Sequence, residues 1–424
     1  MDSFEYRGGR LHAEGVSAEQ LAGEYGTPLY VYSRRTLLDH YGKLAGAFAE
    51  FDPLICYSVK ANSNLSVLKV LSQAGCGFDI VSGGELFRAL RAGGDPKKIS
   101  YAGVGKTDSE LDEALAAGIR LFTVESLPEL ERISERAEAL GRRASVALRT
   151  NPDVDAHTHA HITTGTAEVK FGLDIETVRR TLSEPGRYPG VILDGLHLHI
   201  GSQIVETEPY VLALRRVVPI MNEFRSDSVP LSHLDIGGGF GINYRGGEAQ
   251  PAEAFAGAIT ELVRESGAKL VLEPGRFIVG NAGMLLTRVT YVKRTPKRRF
   301  VIVDAAMNDL LRPALYGSVH AIWPAKSYGP PPARGGEPDP ASQLSPADVV
   351  GPICESGDFL GKDVELPEVE CGDLIAVFSA GAYGFTMSSN YNSRPRAAEV
   401  IVDGDGASLA RRRETYEDLL RGEE

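Results

Sequence analysis

A lysine that directly follows a short apolar run is the first candidate for chemistry in this chain. Residues 54–59 are rich in Leu, Ile, Tyr and Val and predict a buried strand, and Lys60 comes immediately after them. Desolvation at the end of a buried strand lowers the pKa of a lysine amine and leaves it nucleophilic, as formation of a Schiff base requires. A lone lysine more often extends its ammonium group to solvent, so Lys60 needs partners.

Two histidines follow another apolar run, in the segment GLHLHIGS at residues 195–202. Strand alternation places His197 and His199 on one face, with the intervening leucines on the other, so both histidines are expected inside the fold. His199 is nearer the end of the predicted strand and could stack on a planar ring. Metal ligation by the pair is the alternative, but no third ligand stands at suitable spacing.

Glycine, carboxylate and arginine residues follow further runs of this kind. The segment DIGGGFG at residues 235–241 could bring backbone N–H groups close to an anion such as phosphate, or could be only a tight turn. In EPGR at residues 273–276, Glu273 could keep a pyridinium nitrogen protonated and Arg276 could bind phosphate or carboxylate. Asp79 and Arg149 also lie at strand ends, where they could equally form structural ion pairs.

These candidates share a position, because each lies at or just beyond the end of a short apolar run that predicts a strand. The eight runs are residues 54–59, 78–81, 99–102, 121–124, 145–149, 195–199, 234–236 and 270–272. Eight strands alternating with helices over about 250 residues predict a (β/α)8 TIM-type barrel, in which active-site residues come from the C-terminal strand ends. An open doubly wound sheet is the rival, and it is disfavoured because no GxGxxG follows the first strand.

Helical periodicity separates the predicted strands and becomes scarce after about residue 280. Helices are predicted at residues 63–74, 84–92, 109–117, 127–140 and 252–266, with Asp108 and Ser126 as N-caps and glycines 75, 93, 118, 141 and 267 at the C-terminal ends. Later β-rich runs lie at residues 283–293, 300–303, 373–378 and 398–402. We therefore predict a cofactor-binding barrel at residues 31–280 and a mainly β domain at residues 281–424, joined by an N-terminal strand from residues 1–30.

Composition excludes several classes of protein. The formal net charge of the 424-residue chain is −12, and nucleic-acid binding would need clustered basic residues. The first residues show neither a basic start nor an apolar run, so no signal peptide is expected, and no stretch approaches the roughly 20 apolar residues of a membrane span. The 4 cysteines form no CxxC pair, which favours a reducing cytoplasm over a disulfide framework.

Taken together, the motifs make this sequence resemble the fold-type III decarboxylases that depend on pyridoxal phosphate (PLP), most closely those that act on diaminopimelate. Their order and spacing along the chain carry the resemblance, since none is decisive alone. The matching segments in the first part of the chain are GTPLYVYS (26–33), YSVKAN (57–62), NPDVDAHTH (151–159), KFG (170–172), HIGSQ (199–203), DIGGGFG and EPGR. Those in the later part are MNDLLRPALYG (307–317), CESGDFLGKD (354–363), GAYGF (381–385) and NYNSRPR (390–396).

The resemblance implies roles for individual residues. Lys60 would hold PLP as a Schiff base, His199 would stack on its ring, and Glu273 would pair with the ring nitrogen. The cofactor-binding positions are expected to be Lys60, Asp79, His199, Ser202, Gly238, Gly239, Glu273, Gly275, Arg276 and Tyr383. The substrate-binding positions are expected to be Arg276, Arg312, Tyr316, Glu355 and Tyr383. Cys354 resembles the proton donor of the family and completes the catalytic pair with Lys60.

The resemblance also implies an activity and a partner. We expect decarboxylation of meso-2,6-diaminopimelate to L-lysine and carbon dioxide, in a homodimer in which the segment of Cys354 and Glu355 enters the other subunit's site. Decarboxylation of ornithine, arginine or carboxynorspermidine is the alternative, but Arg276 and Arg312 suit a second carboxylate. A racemase is disfavoured because it would place an arginine where Glu273 stands. A non-catalytic PLP-binding protein is disfavoured because the cofactor-binding positions are intact.

Two segments do not fit this scheme directly. His157, His159 and His161 would suggest a metal site by themselves, but they fall in a family segment that is not known to bind metal, so no metal is expected. The segment from residue 326 to residue 348 is longer and richer in proline than the family pattern. It precedes Cys354 and could alter access to the site.

Overall fold

The computed structural model describes residues 2–154, 170–244, 249–327, 331, 334 and 343–423. The three-histidine run at residues 157–161 and most of the proline-rich segment lie outside these residues. The chain divides into two compact units. We call them the barrel unit, formed by His40–Gly241 and Ala249–Phe277, and the β unit, formed by Met1–Asp39, Ile242–Glu248 and Ile278–Glu424.

The N-terminal segment begins with a small antiparallel sheet. Its elements are β1 (Phe4–Arg7), β2 (Arg10–Ala13), β3 (Val16–Ser17), α1 (Ala18–Tyr25), β4 (Leu29–Ser33) and α2 (Arg34–Ala47). Ser17 begins α1 with a capping box, in which its hydroxyl accepts the Gln20 N–H and the Gln20 side chain returns to the Ser17 N–H. All residues of β4 are buried, which is why this strand can occupy the middle of a sheet.

Eight parallel strands close into a barrel in the barrel unit. They are β5 (Leu54–Ser58), β6 (Gly77–Ile80), β7 (Ile99–Tyr101), β8 (Leu121–Val124), β9 (Ala144–Arg149), β10 (Val191–His197), β11 (His233–Asp235) and β12 (Lys269–Leu272). Each strand pairs with its neighbours in chain order, and β12 pairs with β5 to complete the ring. The predicted (β/α)8 fold is therefore confirmed, and the open-sheet alternative is wrong.

Helices separate the barrel strands, and the first five of them begin at side-chain caps. They are α3 (Leu65–Gln73), α4 (Gly83–Arg91), α5 (Asp108–Ala117), α6 (Leu127–Ala139), α7 (Ile175–Ser183), α8 (Glu208–Phe224), α9 (Ala252–Ser266) and, after β12, α10 (Arg276–Val279). Ser126 caps α6 as predicted, since its hydroxyl accepts the Glu129 N–H. The predicted cap Asp108 is wrong, because Thr107 caps α5 by a capping box with Glu110 and Asp108 is the first helical residue.

The β unit confirms the mainly β character predicted for the rest of the chain. Its later elements are β13 (Gly283–Arg294), β14 (Arg299–Val303), α11 (Arg312–Tyr316), β15 (Ile322–Pro324), β16 (Ser345–Val350), β17 (Phe359–Leu366), β18 (Leu374–Val377), β19 (Ala398–Asp403), β20 (Gly406–Arg411) and α12 (Tyr416–Leu419). The N-terminal strand β4 lies between β13 and β19 in their sheet. The predicted domain border at residue 280 remains a prediction.

Among the described residues, none of the helices combines the length and the apolar character that crossing a bilayer requires.

Candidate active site

The lysine at the end of β5 is held by a buried carboxylate from the next strand. A short 3-10 turn (Val59–Ala61) follows β5 and carries Lys60, whose Nζ lies 3.1 Å from Oδ2 of Asp79 on β6. The Ser58 hydroxyl donates to the same Oδ2 at 2.6 Å. Asp79 is completely buried, whereas the Lys60 side chain is 40% exposed. The Lys60 amine is therefore held in place by Asp79, and its side chain remains accessible.

A histidine and a glutamate meet across the barrel end. Nε2 of His197, the last residue of β10, lies 3.1 Å from Oε2 of Glu273, which follows β12, and both side chains are buried. Burial opposes ionisation of Glu273, but the charge and hydrogen bond of His197 and the charge of Lys60 hold the pKa of Glu273 below its ordinary value. Glu273 is therefore a carboxylate at neutral pH, as a partner of a protonated ring nitrogen must be.

The second histidine does not lie on the strand as predicted. The strand β10 ends at His197, two residues earlier than predicted, so strand alternation does not orient His199. His199 is half-buried, and its Nδ1 accepts the N–H of Gly238 at 3.3 Å. Burial and the positive charges of Arg149 and Lys60 lower the pKa of His199 well below its usual value. A neutral imidazole can stack on a planar ring, as the resemblance implies.

The glycine run after β11 is a place of close backbone approach. A Cβ at Gly238 would lie 2.1 Å from the carbonyl oxygen of Glu273, and one at Gly239 would lie 2.5 Å from that of Gly201. Gly239 also has a φ of +99°, which side-chain-bearing residues rarely adopt. Glycines are required here to pack the loop against the neighbouring segments.

A tyrosine that the sequence did not single out anchors this glycine run. The hydroxyl of Tyr210, on α8, donates to the carbonyl oxygen of Gly238 at 2.6 Å. The Tyr210 ring stacks on Phe240 with centroids 5.5 Å apart and meets Phe255 edge-on at the same distance. An aromatic cluster from α8, α9 and the loop thus supports Gly238 from the side of the helices.

Removing this anchor has a measurable consequence for the predicted phosphate site. We expect Tyr210→Phe to weaken PLP binding about fivefold, because one neutral hydrogen bond of about 1 kcal/mol is lost while the ring packing remains. Equilibrium dialysis of PLP measures the effect. The control is Tyr188→Phe, at a buried tyrosine just before β10. Equal affinities in wild type and Tyr210→Phe would contradict a role for this bond.

Arginine and serine meet beside the glycine run. Nη2 of Arg276 donates to Oγ of Ser202 at 2.9 Å, so two of the predicted cofactor-binding residues are brought together. Gly275 precedes Arg276 and is buried, as are Gly238 and Arg276 itself. A guanidinium and a hydroxyl beside a glycine run are groups of the kind that bind a phosphate monoester.

The ion pairs that were left open from the sequence are now assigned. Arg149, at the end of β9, donates from Nη1 to Oε1 of Glu125 at 2.7 Å, and both residues are buried. The other oxygen of Glu125 accepts the Gly172 N–H at 3.0 Å. Arg149 therefore has a structural partner that the sequence reasoning missed, whereas Asp79 pairs with Lys60.

The remaining predicted residues belong to the β unit. Arg312 begins α11 and is buried, with its guanidinium 3.1 Å from Nε2 of His320 and 4.8 Å from the ring centre of Tyr244. Tyr316 ends α11 and is half-buried. Tyr383 is half-buried and has a φ of +56°. An unusual backbone conformation at a bulky residue is frequent at functional sites.

The predicted proton donor lies on an exposed loop that is fastened by a buried aspartate. Cys354 and Glu355 are both exposed, and the Cys354 N–H donates to Oδ1 of Asn392 at 2.9 Å. Asp358 accepts the N–H groups of Ile353 at 2.7 Å and of Met307 at 2.8 Å. The sequence reasoning missed Asp358, although it lies within the motif CESGDFLGKD.

The barrel unit therefore contains a donor set that fits PLP. Lys60 supplies an amine, Glu273 an ionised carboxylate, and His199 a neutral ring. The glycine run, which a Cβ would obstruct, lies beside the bonded pair of Ser202 and Arg276. The aldehyde, the pyridine nitrogen and the phosphate of PLP would therefore each have a suitable partner among these residues.

Comparisons with known proteins agree with this geometry. Residues 35–280 match the family model of the pyridoxal-binding domain of pyridoxal-dependent decarboxylases. The diaminopimelate decarboxylase of Pseudomonas aeruginosa is 48% identical over 100% of this chain and 99% of its own length. The crystal structure of diaminopimelate decarboxylase from Helicobacter pylori, complexed with L-lysine, is 39% identical, has a TM-score of 0.88, and matches over 95% of this chain and 98% of that one. The M. jannaschii diaminopimelate decarboxylase, also with L-lysine, is 36% identical with a TM-score of 0.91, over 100% and 98% of the chains.

Proposed function

This chain belongs to the diaminopimelate decarboxylases, a family of PLP-dependent amino-acid decarboxylases, and from that premise we propose how its residues convert meso-2,6-diaminopimelate to L-lysine and carbon dioxide. The observation that carries the assignment of roles is the pair of charged groups in the barrel unit. Lys60 is held by Asp79 at 3.1 Å, and Glu273 is kept ionised beside His197. The first group binds an aldehyde, and the second stabilises a positive ring nitrogen.

PLP, once bound, supplies an electron sink for the electrons of a breaking Cα–carboxylate bond. The chain's residues bind and orient it. Lys60 holds the aldehyde carbon, while Asp79 positions the Lys60 amine and stabilises its positive charge. Glu273 places a negative charge at the ring nitrogen, and His199 covers the ring. Ser202, Arg276 and the glycine run hold the phosphate through charged and neutral hydrogen bonds.

The β unit supplies the groups that we propose to bind the substrate and reprotonate it. Arg312 binds the distal carboxylate, and Glu355 binds the distal ammonium group, with Tyr316 and Tyr383 as further contacts. The Cys354 thiol donates its proton to the α-carbon after carbon dioxide has left. Its exposure on the loop fastened by Asp358 supports this role, because a proton donor must be able to reach its acceptor.

Release of carbon dioxide tests the proposed function. Purified protein with PLP is offered meso-diaminopimelate, ornithine, arginine and carboxynorspermidine in parallel. We expect release from diaminopimelate, with lysine as the product. Release from ornithine or another diamine precursor would keep the reaction and overturn the substrate. No release from any of the four would favour a non-catalytic PLP-binding protein.

Arg312 should matter for substrate affinity more than for the chemical step. We expect Arg312→Ala to raise KM for diaminopimelate by about 10- to 100-fold, because a hydrogen bond to a charged group contributes roughly 1.5–3 kcal/mol. Steady-state kinetics measures KM and kcat separately. The matched control is Arg294→Ala, which removes an exposed arginine of β13 in the same unit. An unchanged KM, with cofactor absorbance retained, would contradict this role.

We also propose a homodimer in which Cys354 and Glu355 serve the other subunit. The exposure of both side chains supports this arrangement. Lys60→Ala and Cys354→Ala should each be inactive, but subunits unfolded together and refolded together should recover about a quarter of wild-type activity, since half of the random dimers contain one intact site. Activity assays before and after mixing decide the matter. Failure to recover activity, with dimers present by light scattering, would place all catalytic groups in one subunit.

A cytoplasmic location is the remaining proposal. It is supported by the 4 cysteines, none of which forms a disulfide in the structure.

A further inference from the structure

Three carboxyl groups are buried together at the end of the barrel. Asp79 and Asp235 are fully buried, and Glu273 is 4% exposed. Asp79 is the next-to-last residue of β6, Asp235 ends β11 and Glu273 follows β12, which places all three around the same opening. Buried carboxyl groups that lie close to one another cannot all ionise, because each negative charge raises the pKa of the others. At least one of the three therefore keeps a proton unless enough cations balance them.

The polar partners identify which group keeps it. Asp79 faces the Lys60 ammonium, and Glu273 faces His197. Asp235 has neither, since Oδ1 accepts only the Gly237 N–H at 2.8 Å and Oδ2 has no hydrogen-bond partner among the described residues. Asp235 is the carboxyl group least able to hold a negative charge.

Glu273, like Asp235, has one carboxyl oxygen without a hydrogen-bond partner among the described residues. Its Oε2 contacts His197, but its buried Oε1 has no hydrogen-bond partner in the described part of the chain. One carboxyl oxygen of Asp235 and one of Glu273 lie within 4.8 Å of each other and of a His197 nitrogen. If Asp235 and Glu273 were both ionised, they would only repel each other. A proton on one of them makes it a hydrogen-bond donor to the other.

We propose that Asp235 is a positioning residue that stays protonated and donates its hydroxyl proton to Glu273. The hydrogen bond fixes the orientation of the Glu273 carboxylate and lowers its basicity, so that Glu273 keeps its negative charge for the ring nitrogen. Burial, the charge of Glu273 and the hydrogen bond with Glu273 all raise the pKa of Asp235 well above its usual value, which agrees with this state.

The groups that face Asp235 come from every neighbouring element. They are Glu273 after β12, His197 on β10, Asp79 on β6 and the Cys56 thiol on β5. Burial and the charge of Glu273 raise the pKa of Cys56, so this thiol stays neutral. Among these four groups, His197 is the one with a nitrogen that can carry a proton, and it already contacts Glu273.

Infrared spectroscopy of the holoenzyme tests the protonation state directly. The difference spectrum between wild type and Asp235→Asn at neutral pH should contain the C=O band of one protonated carboxyl group, with the shift in D₂O that an exchangeable proton causes. The absence of that band would overturn the proposal. A divalent ion bound stoichiometrically in the wild type and lost in the variant, measured by elemental analysis, would also overturn it, since a cation would then take the place of the proton.

The pH dependence of the cofactor's visible absorbance tests the hydrogen bond to Glu273. Asp235→Asn can still donate to Glu273 and accept from Gly237, so its spectral midpoint should stay within about 0.3 pH unit of wild type. Asp235→Leu removes the donor, so its midpoint should rise by about one pH unit as Glu273 becomes more basic. Equal shifts in both variants would overturn the proposal, and if the leucine variant does not fold, a shift in Asp235→Asn alone would do so.

This inference rests on the role proposed for Glu273, yet the two can fail separately. The infrared band requires no decarboxylation, and carbon dioxide release requires no particular state of Asp235. A protein that releases carbon dioxide but lacks the band would refute only the inference.

Discussion

Replacing Lys60 by alanine is expected to abolish the borohydride-trappable visible chromophore of the purified enzyme and to lower its activity by more than about a thousandfold. The Lys60 amine lies on the turn that follows β5, where Asp79 holds it at 3.1 Å, and an amine is the group that forms an imine with the cofactor. Absorbance spectra before and after borohydride treatment, followed by a carbon dioxide assay, measure both effects.

The matched control for this variant is Lys69→Ala. Lys69 lies on α3 of the same unit and is exposed. It should leave both the spectrum and the activity as in wild type. A trappable chromophore that persisted in Lys60→Ala would mean that another lysine binds the cofactor, and the assignment of the barrel site would have to be abandoned.

Glu273→Gln should separate cofactor binding from catalysis. Glutamine keeps the size of the side chain and can still bond to His197, but it carries no charge for the ring nitrogen. We expect kcat for diaminopimelate to fall about 10²- to 10³-fold, the effect typical of losing one electrostatic contact at a reacting centre. PLP affinity should change much less, because the phosphate contacts of Ser202 and Arg276 remain.

Steady-state kinetics and PLP dialysis on the same preparation check this prediction. Glu253→Gln, on the exposed first turn of α9, is the control for loss of a carboxylate. A kcat within twofold of wild type would show that Glu273 does not support the electron sink, and a racemase-like use of the ring would then have to be considered.

Local patterns predicted the barrel because its strands are short, apolar and regularly spaced. Seven of the eight predicted strands differ from the observed ones at one or both ends, but none is displaced to another part of the sequence. The glycine run and EPGR could also be predicted as parts of the site, because their residue types are unusual at strand ends. The shift at His199 shows the limit, since the end of β10 depends on its neighbours rather than on its own alternation.

Contacts between distant segments could not be read from the sequence. The bond from Tyr210 to Gly238 and the ion pair of Arg149 with Glu125 join residues 28 and 24 positions apart, and a local period cannot indicate such pairing. The proton assigned to Asp235 depends on three strands that meet only in the fold. Tertiary packing, rather than residue type, decides each of these features.

The hydroxyl of Ser58 has a consequence for how the enzyme matures. It donates to Asp79 at 2.6 Å and is also 3.0 Å from the Glu273 carbonyl, while the Ser58 N–H donates to the Pro274 carbonyl at 3.1 Å. Hydrogen bonds therefore join the first and last strands of the barrel beside the amine that binds the cofactor. Before β5 and β12 pair, a refolding chain would lack an aligned Lys60 and Glu273. The appearance of the cofactor's visible absorbance during refolding would therefore report closure of the barrel.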